Sequence, residues 1–200
     1  MKTLIQHGGS RSNARVVDEF NADKLGAPFK VILRNSVEVT YNKAGEIAEF
    51  NIPDMDGLLR AIVLQRVLHE RKLTGPDIKF LRKCLGLKAK DLAKRIEVTP
   101  EHLSRCEAKA LPISPASEKL LRLFMFKTAV KLANLKTDER KRKLEQALDD
   151  LFELVDPVPV HDAADELVLS FSRHFVTPRA ANDEEHREEP CWDAPKAALP

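Results

Sequence analysis

The sequence predicts a mainly α chain: a bundle of short helices, with a small N-terminal antiparallel β module before it and a C-terminal helical extension after it. Three observations predict this. From residue 74 to about residue 155 the apolar residues recur at helical spacing, with cap and stop residues between the runs. Between residues 29 and 52 the pattern changes to short runs rich in Val, Ile, Phe and Tyr. The composition, 43% hydrophobic and 32% charged with 6% aromatic residues, suits helices with well-solvated outer faces.

Residues 1–27 show no apolar periodicity and read as a flexible arm. Three strands are expected at 29–33, 37–41 and 46–52, and Asn42-Lys43-Ala44-Gly45 forms the turn between the last two. Pro53 ends the last strand. Asp54 then caps a helix to about residue 69 whose Leu58, Leu59, Ile62, Val63 and Leu68 make one apolar face. Residues 28–70 thus form a small β module plus helix. In the next unit, 71–126, Thr74 with Asp77 suits a cap, and Pro76 sits where its missing N–H costs nothing. Ile78, Leu81 and Leu85 share a face, and Gly86 stops the helix. Residues 89–96 form a second helix burying Leu92, Ala93 and Ile96. Glu97-Val98 is a turn, and Thr99-Pro100 opens a third helix with Leu103 and Cys106 inward. Ser114-Pro115 opens a fourth. Residues 127–156 continue as a helical extension, and 157–200 read as an acidic, largely disordered tail.

Charge is unevenly spread. The chain of 200 residues has a net charge of +2, but residues 71–146 carry +11 and residues 147–200 carry −9. A strongly basic middle segment has the electrostatic footprint expected of something that meets phosphates; a solvated helical surface with an acidic tail is the other reading. No run of about 18 apolar residues exists, so no membrane span is expected. The opening MKTLIQHGGSRSNAR has no apolar core of signal-peptide length, and three widely spaced cysteines form no disulfide framework. A cytoplasmic location is expected.

Three short helices with tight connections leave the start of the third exposed, presenting Thr99, Glu101, His102 and Arg105. A helix so presented fits the DNA major groove, where its first turns reach base edges. The string FLRKCLGLKAKDLAKRIEVTPEHLSRCE followed by LPISPASEKLLRLF resembles the lambda-repressor-like (XRE, or Cro/CI) helix-turn-helix proteins, over about a quarter of the chain. Arg82 and Glu107 stand where that family pairs an Arg of the first helix with a Glu ending the third. The resemblance implies a helix-turn-helix bundle that binds double-stranded DNA as a transcriptional repressor. It implies base readout by Glu101, His102 and Arg105, with Arg105 suited to bidentate contact with guanine. It implies phosphate contacts from Lys83, Lys88, Thr99, Ser104 and Lys109, and a structural pair, Arg82 with Glu107. Two positions depart from the family: Lys88-Ala89 replaces a Ser or Thr cap and a Gln, and Glu97 replaces the turn Gly.

The β module followed by IPDMDGLLRAIVLQRVLHERKLTGPDIKFLRKCLGL is also similar to the helix-turn-helix antitoxins of type II toxin–antitoxin systems. That family's N-terminal module usually holds zinc through paired CxxC motifs. No Cys precedes Cys84 here, so such a module would be zinc-less and held by packing. This gives the alternative function: an antitoxin or adaptor that binds a partner protein, a toxin or regulator, through its N-terminal module and autoregulates its operon.

No catalytic constellation or cofactor motif stands out, and an enzyme is not expected. His102 and Cys106 lie four apart but lack further ligands, so no metal site is expected. Leu144, Leu148, Leu151 and Val155 recur at near-heptad spacing beyond an apolar helix starting at Ala116. A homodimer through residues 116–155, placing two helices on palindromic half-sites, is the expectation; packing back onto the N-terminal module is the other reading.

Overall fold

The computed structural model describes residues 14–133, 146, 166–174 and 191–193. Among these are five strands, β1 (Ala14–Asn21), β2 (Lys30–Tyr41), β3 (Ile47–Asn51), β4 (Val168–His174) and β5 (Cys191–Asp193). The described α-helices, all between β3 and β4, are α1 (Met55–Leu68), α2 (Gly75–Cys84), α3 (Ala89–Arg95), α4 (Pro100–Glu107) and α5 (Pro115–Ala133).

The fold class differs from the mainly α expectation. All five strands join one mixed sheet, so the chain is an α+β protein rather than a helical bundle with a small antiparallel β module. β2 is its spine. One edge of β2 pairs antiparallel with β1; the other is shared by β4, parallel along Lys30–Arg34, and β3, antiparallel along Glu38–Tyr41. Two expectations fall with this. β1 occupies part of the supposed arm, and β4 and β5 are ordered strands within the supposed tail. Of the supposed arm, residues 22–27 are also described, with a single 3-10 turn at Asp23–Leu25, whereas 1–13, most of the tail and most of 134–165 lie outside the described residues.

The two strands expected at 29–33 and 37–41 are one. Between them Asn35 and Ser36 stand against the single residue Asp18 of β1, a bulge with Asn35 at φ 50°. Ser36 closes the gap this leaves: its hydroxyl accepts from the Arg173 amide at 2.9 Å and donates to the Arg34 carbonyl at 2.5 Å. Val31 and Leu33 of β2 stand opposite Leu169 and Phe171 of β4, all buried, and form the apolar centre of the sheet. Trp192 of β5 is buried too, and its indole N–H donates to the Asp54 carbonyl at 3.1 Å, tying the last strand to the cap of α1.

α1 buries Leu58, Ile62, Val63 and Val67, and α5 packs against both α1 and α3. This accounts for the many apolar faces of α5: Leu121, Met125, Phe126 and Ala129 are buried within the chain. Of the segment expected to dimerise, this described part is therefore largely spent on packing, and the Leu144–Val155 stripe lies outside the described residues.

Two buried arginines organise the α1–α2 junction. Arg122, 2% exposed, uses all five donors: two to Glu118 Oε1 (3.1 and 2.9 Å), and three to the carbonyls of Val67 (2.8 Å), His69 (2.6 Å) and Arg71 (2.7 Å). It thus holds carbonyls at the C-terminus of α1, which have no partner within the helix. Arg66 pairs with Asp77 at 2.8 Å and donates to the Arg71 and Lys72 carbonyls. Glu118 Oε1 also accepts the Leu73 amide at 2.9 Å. Two cations and two carboxylates thus cancel out of water while the loop wraps around them.

Candidate nucleic-acid interface

Helices α2 to α4 owe their placement to three terminations of one kind. Each ends in a left-handed residue: Gly86 at φ 66°, Glu97 at φ 58° and Lys109 at φ 63°. In each the next amide bonds back to the carbonyl five residues earlier, Leu87 to Arg82, Val98 to Ala93 and Ala110 to Arg105, at 2.9–3.0 Å. This is the Schellman arrangement, and it turns the chain sharply with little loop. Glu97 adopts the glycine-like conformation despite its side chain, which is why a Gly is dispensable there though costly to lack.

The helix starts are defined as well. Thr74 and Asp77 form a reciprocal capping box at α2. Thr99 caps α4, its hydroxyl accepting the His102 amide at 3.1 Å. Lys88, the N-cap residue of α3, makes no side-chain capping bond. Gly75 packs so closely on the end of α4 that a Cβ there would collide with the Cys106 carbonyl oxygen.

Arg82 and Glu107 form a bidentate pair at 2.6 and 2.9 Å, largely shielded from water. Arg82 also donates to the Leu87 carbonyl at 2.9 Å, so one guanidinium holds α2, the α2–α3 turn and the last residue of α4. The hydrogen bonds that Arg82 donates to Glu107 draw the Arg82 pKa upward, outweighing burial. α4 is thereby fixed at both ends, with Leu103 and Cys106 buried on its inner side.

Its outer side carries Glu101, Ser104 and Arg105, all exposed and at positions i, i+3 and i+4 of one stripe. His102 is half-buried and stands beside this stripe rather than in it. Thr99 and Lys109 bracket α4 and are exposed; Lys83, in the last turn of α2, and Lys88 are exposed as well. Lys79, Lys90 and Lys94 add further exposed cations that the motif alone does not single out. Arg95 is not a free charge of this set: its guanidinium lies 5.8 Å from the Phe124 ring centroid and links α3 to α5.

Cys106 is buried and its thiol contacts the Pro112 carbonyl at 3.8 Å, while burial raises its pKa. Burial pushes the Cys84 thiol up to about 12. Neither is set up as a nucleophile or metal ligand. Among the described residues no group of three or more metal-ligating side chains gathers, and no helix is long and apolar enough to cross a membrane. No protein-family model, curated protein or solved structure matches this chain.

Proposed function

We propose that this chain is a sequence-specific DNA-binding regulator, most simply a repressor, that reads the major groove through α4 and acts as a homodimer on a palindromic operator. The carrying observation is the exposed Glu101, Ser104 and Arg105 stripe on a helix locked by the Thr99 cap and the Arg82–Glu107 pair. A groove-reading helix needs just this combination, because base contacts tolerate little positional error. Arg105 supplies the bidentate fork for a guanine edge, and Glu101 accepts from a cytosine amine or rejects other bases. His102, half-buried, reaches only a base beside the stripe. Lys83, Lys88, Thr99, Ser104 and Lys109 hold the phosphate backbone on either side and set the salt dependence.

The test is selection of binding sites from random duplex DNA, followed by titration of the selected site. Arg105→Ala should weaken binding by about 1–3 kcal/mol and relax the preference at one position. Lys88→Ala should weaken all sequences alike and lower the salt slope by about one. An enriched site that binds Arg105→Ala as tightly as the unaltered chain would refute α4 as the reading helix.

A further inference from the structure

The sheet ends in a strand that nothing among the described residues completes. Among the described residues β1 pairs only with β2, along one of its two edges. Natural sheets guard such edges with charged side chains, Lys above all, with Pro, or with a bulge on the edge strand itself. β1 reads Ala14-Arg15-Val16-Val17-Asp18-Glu19-Phe20-Asn21: it has no Pro or Lys, its guards are the charges of Arg15, Asp18 and Glu19, and the bulge beside it has its extra residue on β2, so β1 keeps a run of eight strand residues.

Exposed apolar side chains gather at this end of the sheet. Val16 is 52% exposed, Ile47 51%, Tyr41 40% and Phe50 36%. Phe20 and Phe50 come from strands on opposite edges of β2, yet their ring centroids lie 5.0 Å apart, so the sheet curls here. Elsewhere the large exposed apolar residues, such as Leu120 and Leu132 of α5 and Val168 of β4, stand far apart in the chain.

We propose that β1 pairs antiparallel with β1 of a second copy, joining two sheets across a two-fold axis at Val17. The charges of the strand select this partner. With Val17 on the axis, Arg15 of each copy stands opposite Glu19 of the other, giving two attractive cross-strand pairs, while Val17 meets its own counterpart. Of the other described edges, β3 fails the same test, because Ile47–Asn51 centred on Glu49 sets two carboxylates against each other, and β5 has only three residues. Glu19 also lies 3.7 Å from Arg34 within the chain, but both side chains are more than half exposed and that pair contributes little.

This inference rests on the dimeric part of the proposed function and is tested without DNA. Sedimentation equilibrium of the full chain should show a dimer. Arg15→Glu, on an exposed side chain, should keep the circular-dichroism spectrum and melting curve yet raise the dimer Kd at least tenfold, because two attractions become two repulsions. Arg15→Glu with Glu19→Arg restores opposite charges in reversed order and should recover the dimer. A monomeric unaltered chain, an Arg15→Glu variant that dimerises as well as the unaltered chain, or a double variant that stays monomeric would each overturn the pairing. A dimer that binds no selected DNA site would sink the regulator reading and leave this one standing.

Discussion

Replacing Arg122 by Met should be among the most damaging single changes in the helical unit, and the structure says by how much. The side chain is 2% exposed and donates five hydrogen bonds, to Glu118 and to three carbonyls around the end of α1. Met preserves much of the volume but none of the donors. Glu118, wholly buried, keeps only the Leu73 amide, and its Oε2 has no partner even with Arg122 present. Removing one member of a buried ion pair costs about 3–5 kcal/mol, most of it from the charge left behind. With a urea slope of about 2 kcal/mol/M, the midpoint should fall by roughly 1.5–2.5 M. Glu118→Leu added to Arg122→Met removes the stranded carboxylate and should recover about 1–3 kcal/mol, less than the full loss because the Val67 and His69 carbonyls and the Leu73 amide then lack the partners described here. Urea unfolding followed by circular dichroism measures all three proteins. A loss below about 1 kcal/mol for Arg122→Met, or a double variant no more stable than the single one, would refute the assignment of Arg122 as the clasp between α1 and α5.

Two further outcomes are expected. Glu97→Gly removes a left-handed penalty of about 1–2 kcal/mol while adding about 0.5–1 kcal/mol of backbone freedom to the unfolded chain, so stability should rise modestly; a measured decrease would mean that the Glu97 side chain contributes contacts of its own. His69 has its pKa lowered, first by burial and then by Arg66 and Arg71, and its Nδ1 accepts the Arg71 amide at 3.1 Å. The unfolded chain therefore binds this proton more readily, so stability holds above about pH 6.5 and declines as pH falls below it. His69→Gln should flatten that part of the stability profile, and an unchanged slope between pH 7 and 5 would assign it to other groups.

The helical unit was legible because its signals are local. Thr74 with Asp77, Thr99-Pro100, Gly86 and Ser114-Pro115 mark helix ends within a few residues of what they cap, and the apolar period between them is undisturbed. The sheet was not legible because its partners are distant. The β1 sequence mixes charges with valines, β5 has three residues, and β4 becomes recognisable only beside β2, with which it pairs in parallel. Asn35-Ser36 broke the period of β2 and made one strand look like two. The buried ion pairs were hidden for another reason: Glu118 and Arg122, four apart on a helix, have the spacing of an ordinary surface pair. At the candidate interface, the positions on α4 followed from the motif. The half-burial of His102 and the capture of Arg95 by Phe124 depend on neighbours that no local pattern reveals.

The parallel pairing of β2 with β4 has a consequence for how this molecule is made. Lys30 and Val168 are neighbours in the sheet but 138 positions apart in the chain, and helices α1 to α5 lie between them. Closing so long a loop is slow, whereas α2 to α4 make their mutual contacts within residues 75–107. During synthesis the helices can assemble while β2 still shows Val31 and Leu33 to solvent on the side that β4 will cover. A ribosome stalled before β4 emerges would therefore display a finished helical unit beside an open, aggregation-prone strand. Such a chain would be able to fold its candidate reading head well before it could hide its own sheet.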